Sequence, residues 1–458
     1  MAIIVSGTIT APDVFASNQR KLTFSNGKWW AFYADSGIIY YKTSNDGSTW
    51  SSAVQISTQN SENCGAPCIW DDGTYIFAVW VNQTTDDVHF RRITISTEAA
   101  FPTSVDSRIS GVDQGILSND DETISICKTP NGTLFVSIPD SGQGSIYTST
   151  DNGANWSRSD TDLFLDGTDN TLLVPLTGNQ AYVIFTDGNA ILGRKFNGSS
   201  WATSNTTIVS SAFSLRSESF AFSAVNNGNN VYLAYTTDID GSTASINTLS
   251  FNGTSWTATT AVESSISTPE TVSLGLDESN GDIYAVYIKN STDQIFYKKS
   301  TDDMASWGSA TDIGAATGVI DHVNVNFSDS NNIGVVYMQS SNLVFTQVVV
   351  LISGLNLSLA DSFTITDTTA PKTVSLIKAD SISISEDFTA SLGALLLLLS
   401  DSVSFSETFV KAPVKIITDS VSLAEDFRTA STGGPPPPIQ EDAELFIEIS
   451  PGISIRLQ

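Results

Sequence analysis

Carboxylates recur at a fixed distance before a series of tight turns, and they are the first residues in this chain that could do chemistry. Glu122, Glu218 and Glu270 each stand about nine positions ahead of a turn; Asp169 and the pair Asp321 and His322 stand at the corresponding places, and Arg20 lies near another. Two carboxyl groups about 5 to 9.5 Å apart can hydrolyse a glycosidic bond, one as acid and the other as base or nucleophile. The same groups around a polar funnel also suit hydroxyl-rich neutral glycans, or a hard cation such as Ca²⁺. A third reading is that they only accept backbone N–H bonds where strands begin. His322 and His89 are the two histidines, and two isolated imidazoles define neither a metal site nor a triad. No other cofactor is implied.

These residues need a scaffold that repeats. The turns fall at Asn26-Gly27, Asp72-Gly73, Asn131-Gly132, Gly178-Asn179, Asn227-Gly228, Asn280-Gly281 and Asn331-Asn332, roughly 51 residues apart. Each sits between two short apolar strands, and the second strand ends in aromatics, as in Trp29 to Tyr33 and Tyr75 to Trp80. That period matches a four-stranded propeller blade. The expectation is an all-β chain with a seven-bladed β-propeller over residues 1–352, or a six-bladed one if a unit is miscounted. The seventh unit shows three clear strands, so Ile3 to Ile9 is expected to supply the fourth and close the ring.

Ser149-Thr-Asp151-Asn-Gly153-Ala-Asn-Trp156 follows the pattern Ser-x-Asp-x-Gly-x-x-Trp in full. Thr43-Ser-Asn45-Asp-Gly47-Ser-Thr-Trp50 places Asn45 in the Asp position, and Ser300-Thr-Asp302-Asp-Met304-Ala-Ser-Trp307 places Met in the Gly position. These resemble the Asp boxes, or BNR repeats, of the sialidase-like β-propellers. The resemblance implies a structural task in the turn between third and fourth strands: a carboxylate or amide accepts backbone N–H groups, Gly supplies positive φ, and Trp packs beneath. It also implies what sialidase catalysis would require, namely three arginines converging on a sugar carboxylate. Here only Arg20 lies near an innermost strand, while Arg91, Arg92, Arg158 and Arg194 fall on outer ones. Sialidase activity is therefore not expected.

After residue 352 the period shortens. Asp361-Ser-Phe-Thr-Ile-Thr-Asp367, Asp380-Ser-Ile-Ser-Ile-Ser-Glu386, Asp401-Ser-Val-Ser-Phe-Ser-Glu407 and Asp419-Ser-Val-Ser-Leu-Ala-Glu425 recur about every 20 residues with strict two-residue alternation. They weakly resemble the strand repeats of phage or virus fibre and surface proteins. Residues 353–432 are read as a stalk or assembly region of stacked strands, 433–440 as a Gly/Pro linker around Pro435 to Pro438, and 441–458 as a terminal β-hairpin.

Charge narrows the partners. Forty-nine acidic against 21 basic residues leave a net charge of −28, which excludes binding to nucleic acid or to anionic membranes through a basic patch. The longest apolar stretch, Leu392 to Leu399, is too short to span a bilayer. Three cysteines, Cys64, Cys68 and Cys127, do not make a disulfide framework. No secretory signal is read at the N-terminus. Together these features predict a non-enzymatic virion or extracellular-particle surface protein, such as a phage tail or spike component. Its propeller would bind a cell-surface glycan, and its C-terminal repeats would join copies of itself or other particle proteins. A hydrolase acting on a neutral glycan, with Glu122, Glu218 and Glu270 as candidates, and an exported adhesin or filament subunit are the alternatives.

Overall fold

The computed structural model describes residues 2–7, 19–58, 67–82, 87–102, 107–109, 123–138, 144–160, 170–210, 222–237, 244–266, 271–289, 294–315, 320–325, 328–329 and 333–348. Beyond them it describes the strands 362–364, 374–377, 381–385, 395–398, 402–406, 414–417, 420–423, 445–450 and 453–457. The chain divides into two units, Met1–Val348 and Val349–Gln458.

The first unit is a seven-bladed β-propeller, and no helix occurs among the described residues. Each blade is an antiparallel sheet whose innermost strand comes first in sequence. These inner strands are Leu22–Ser25, Cys68–Asp71, Ser125–Lys128, Thr171–Pro175, Phe222–Asn227, Val272–Asp277 and Ile320–Val325. At the first hairpin Asn26 and Gly27 both have positive φ, 51° and 73°, which lets Ser25 pair with Lys28 across a two-residue turn. Ring closure follows the expected route. Ala2–Val5 is the outermost strand of blade seven, antiparallel to Asn342–Val348, with Ala2 opposite Phe345. Residues 8 and 9 of the expected closing strand lie outside the described residues.

Neighbouring blades are held by aromatic seams. Trp30, Phe32 and Tyr41 of blade one share a buried cluster with Ile69, Ile76 and Trp80 of blade two. Around the rim, the Trp after each third strand reaches back to the preceding blade: Trp50 meets Phe345 at 5.3 Å, Trp156 meets Phe90 at 5.2 Å, and Trp201 meets Phe135 at 5.9 Å. Trp256 donates its indole N–H to Tyr182 Oη (3.0 Å), and Trp307 donates to the Thr260 carbonyl (2.8 Å). These tryptophans are therefore inter-blade clamps.

The turns before Trp50, Trp156 and Trp307 are built on short carboxylates, and those before Trp201 and Trp256 on the amide oxygens of Asn197 and Asn252. Asp151 Oδ1 accepts the Asn155 N–H (2.9 Å) and the Ser149 hydroxyl (2.8 Å), while Ser149 Oγ accepts the Gly153 N–H (2.9 Å). Asp302 accepts the Ser306 N–H in the same way, and the Met304 N–H donates to Ser300 Oγ (2.9 Å). Blade one corrects the sequence assignment. Its acceptor is Asp46, bonded to the N–H groups of Ser48 and Thr49 (both 2.8 Å), rather than Asn45. The serine that meets the Gly47 N–H is Ser44, so this turn is one residue shorter than the blade-three turn and the alignment on Thr43 is displaced.

In the second unit the chain alternates between two parallel sheets. Ser362–Thr364, Ser381–Ser385, Ser402–Ser406 and Ser420–Leu423 pair in that order, and Val374–Ile377, Leu395–Leu398 and Val414–Ile417 form the other sheet. The register places Ser381 opposite Ser402 and Ser402 opposite Ser420, so like residues stack on like. Leu445–Ser450 and Ile453–Leu457 form an antiparallel hairpin.

Candidate binding site in the central channel

Seven inner strands turn their edges to a channel, and backbone N–H groups there need acceptors; in blade six Ser328–Asp329 pairs in parallel with the end of Val272–Asp277. Short polar side chains of the preceding blade supply several. Ser125 Oγ accepts the Leu173 N–H (2.9 Å), Ser223 Oγ the Leu274 N–H (3.0 Å), and Ser273 Oγ the Val325 N–H (3.1 Å). At the closure, Asn324 Oδ1 accepts the Lys21 N–H (3.2 Å), and its amide donates to the Gln19 carbonyl. A strand-to-strand belt thus runs along the channel wall.

Gln19, Arg20 and Lys21 enter the channel just before the first inner strand, and all three are buried. Arg20 Nη1 donates to the Ile126 carbonyl (2.9 Å) and Nη2 to the Leu173 carbonyl (2.8 Å), joining blade one to blades three and four. Its guanidinium also lies over the Trp70 ring, 4.5 Å from the centroid. Burial lowers the Arg20 pKa to about 10, which leaves it charged at neutral pH. Lys21 is fully buried and donates to Gln19 Oε1 (2.7 Å) and the Pro67 carbonyl (2.9 Å); burial pulls its pKa down to about 7.

On the side where the inner strands end, Arg20 lines a cavity of about 320 Å³. Leu22 to Ser25 and Ile69 to Gly73 wall it, and the exposed Glu278 stands at its mouth. Asp71 is the central polar group: its Oδ1 accepts the Gly73 N–H (2.7 Å) and its Oδ2 the Thr23 hydroxyl (2.9 Å). Burial raises the Asp71 pKa, opposed by the Gly73 N–H and the hydroxyls of Thr23 and Ser25. Asp72 is committed elsewhere, to Lys128 Nζ (2.5 Å) and to the N–H groups of Thr74 and Tyr75.

The candidates read from the sequence fare unevenly. Arg20 lies in the channel, yet its guanidinium binds backbone carbonyls of two distant blades. Asp321 and His322 fall on the inner strand Ile320–Val325. Glu122, Asp169, Glu218 and Glu270 lie outside the described residues. The outer arginines hold backbone or neighbouring side chains: Arg91 reaches the carbonyls of Ile56 and Pro102, Arg92 that of Asn152, Arg158 the Ser145 hydroxyl, and Arg194 the Asn205 amide oxygen. Among the described residues no three His, Cys, Asp or Glu side chains gather as a metal site. Cys68 and Cys127 are buried free thiols. Sequence reasoning overlooked Trp70, Asp71 and Thr23, which stand just before hairpin turns and not at the strand entries where candidates were sought. The signal that could have found them is that Thr23 and Asp71 stand close to one blade period apart.

No protein-family model and no curated protein sequence matches the chain. Solved structures do resemble it in fold. An ulvan lyase from a new polysaccharide lyase family aligns with a TM-score of 0.52 at 12% identity, over 76% of this chain and 95% of that one. Hydrazine synthase of Kuenenia stuttgartiensis aligns at 0.48 and 11%, over 76% and 99%. A Hadza microbial sialidase aligns at 0.41 and 14%, over 72% and 65%. At these identities the likeness concerns the propeller fold alone.

Proposed function

We propose that the chain is a non-enzymatic recognition and assembly protein on the surface of a virion or extracellular particle. Its propeller binds a cell-surface glycan, and its C-terminal repeats attach it to copies of itself or to other particle proteins. The observation that carries this reading is the in-register parallel ladder of Ser381–Ser385 on Ser402–Ser406 and Ser402–Ser406 on Ser420–Leu423. Such a ladder extends by adding like strands, which is how stalks and fibres grow. The commitment of Arg20 to the carbonyls of Ile126 and Leu173 supports recognition over sialidase chemistry, since it supplies no converging guanidinium pair for a sugar carboxylate. This reading needs no cofactor.

Quantitative mass spectrometry of purified particles tests it. The expected result is the chain at a fixed copy number per particle, and its absence from washed particles overturns the reading. In parallel, a fluorogenic sialoside should not turn over. Hydrolysis of a neutral glycan that is lost on Glu218→Gln would replace this function by the glycosidase one.

A further inference from the structure

We propose that the cavity at the hairpin-turn mouth of the channel, walled by Thr23, Phe24, Ser25, Trp70 and Asp71, binds one uncharged pyranose unit of a glycan. The proposal rests on the glycan-recognition reading and places the contact where the inner strands end.

Size and closure come first. A volume of about 320 Å³, with Arg20 among its lining residues, lies at the small end of ligand pockets and suits a single ring rather than a long chain. The wall is amphipathic, as a pyranose is. The half-buried Phe24 and Trp70 offer apolar surface to ring C–H groups, while Leu22 and Ile69 behind them belong to the buried core. Asp71, Thr23 and Ser25 offer acceptors to ring hydroxyls. The Asp71 carboxylate accepts from the Gly73 N–H and from the hydroxyls of Thr23 and Ser25, which leaves one of its roughly four lone-pair sites for a sugar hydroxyl. A sugar hydroxyl donating there would form a charge-assisted bond in a desolvated setting, the strong kind.

Charge then selects among sugars. The Arg20 guanidinium is engaged by two backbone carbonyls, and the Lys128 ammonium by Asp72 and the Asn152 amide oxygen. Arg20 keeps its charge, since its carbonyl partners are neutral, but its N–H groups are committed to them; Asp71 and Glu278 outnumber it in the lining, so a carboxylated or sulfated ring meets a net negative wall and a neutral one does not. Asp72 contributes little to recognition because Lys128 and two backbone N–H groups hold it.

The test uses the full chain and saturation-transfer NMR, which reads the weak binding expected of one ring. The probes are methyl glycosides of glucose, galactose, mannose, N-acetylglucosamine and glucuronic acid. At least one neutral glycoside should bind, and the glucuronide should bind at least tenfold more weakly. Asp71→Asn and Trp70→Ala should each lower affinity at least tenfold, with circular dichroism checking the fold; if Trp70→Ala does not fold, Asp71→Asn and Thr23→Val decide. Affinity unchanged within twofold in Asp71→Asn overturns the site. If binding is instead lost in Glu218→Gln or Glu270→Gln while Asp71→Asn binds normally, glycan recognition stands and this location falls. If no neutral glycoside or glycan binds the intact chain, the recognition reading itself falls.

Discussion

Arg20 and Leu173 are 153 residues apart in sequence, yet the Arg20 guanidinium donates to the Leu173 carbonyl at 2.8 Å. The second guanidinium nitrogen reaches Ile126, so one side chain ties the first blade to the third and fourth. An arginine beside the inner strands of a sialidase-like ring invites a catalytic reading, but here its geometry serves the scaffold. The planar fork suits two carbonyls on adjacent strands, and a lysine in its place would present a single point charge.

Arg20→Lys is therefore expected to destabilise the propeller by about 2–4 kcal/mol, because at least one buried carbonyl loses its donor and the new ammonium is poorly placed. Equilibrium urea unfolding at pH 7.5 measures this. A midpoint indistinguishable from wild type would show that the two carbonyls do not depend on Arg20.

Lys21 gives the protein an alkaline stability gradient. Its folded pKa is lowered by burial to about 7, against an ordinary value of 10.5, so between these values the unfolded chain binds the extra proton. Stability from this group is full above the unfolded value, declines as pH falls through the window, and levels off below about 7. Across the window the slope approaches about 1.4 kcal/mol per pH unit. Urea midpoints at pH 7, 8 and 9 should rise in the wild type, with a visibly flatter series in Lys21→Met. Parallel slopes in the two proteins would assign the gradient to other groups.

Much of the ring was legible because a long period and paired turn residues leave few alternatives. Asn26-Gly27 between two apolar strands favours a two-residue hairpin, and seven hairpin turns in phase point to a ring. The channel was less legible. Nothing local in Gln19-Arg20-Lys21 says that three polar residues will be buried, since their partners Ile126, Leu173 and Asn324 lie more than a hundred residues away. The shift from Asn45 to Asp46 was invisible for a different reason: adjacent Asn and Asp both fit the motif, and only the position of Ser44 decides which carbonyl-type oxygen faces the turn. Met304, at φ 65° where blades one and three carry Gly, is fully buried in the cluster with Ile246 and Tyr232. Beside Gly47 and Gly153 the nearest neighbours are rings, Phe345 and Phe90.

That comparison predicts a split between two glycines. A Cβ on Gly153 would stand 2.1 Å from the Phe90 ring, at φ 84°, whereas one on Gly132 would meet nothing within 4 Å, at φ 94°. Gly132→Ala should cost about 1 kcal/mol, the backbone strain alone. Gly153→Ala adds displacement of Phe90 and of its edge contact with Trp156, for a total of about 3 kcal/mol. Thermal unfolding of the pair should show the larger fall for Gly153→Ala; equal shifts would mean that the blade-two and blade-three seam accommodates a methyl group.

Removing Val349–Gln458 should leave a soluble, folded propeller that no longer joins its particle. Each of the buried clusters of the propeller draws its residues from Ile4 to Phe345, and the closing strand Ala2–Val5 comes from the other end of the chain. The tail is therefore not needed to complete a blade. It has its own reason to be folded only as a stack, since a rung of about 20 residues buries too little apolar surface to offset roughly 1–2 kcal/mol of backbone entropy per residue. Circular dichroism and the unfolding midpoint of residues 1–348 should match the propeller transition of the full chain. Aggregation of the truncated chain, or an early loss of its cooperative transition, would mean that the ring depends on the tail. Normal incorporation of the truncated chain into particles would instead move the assembly function onto the propeller.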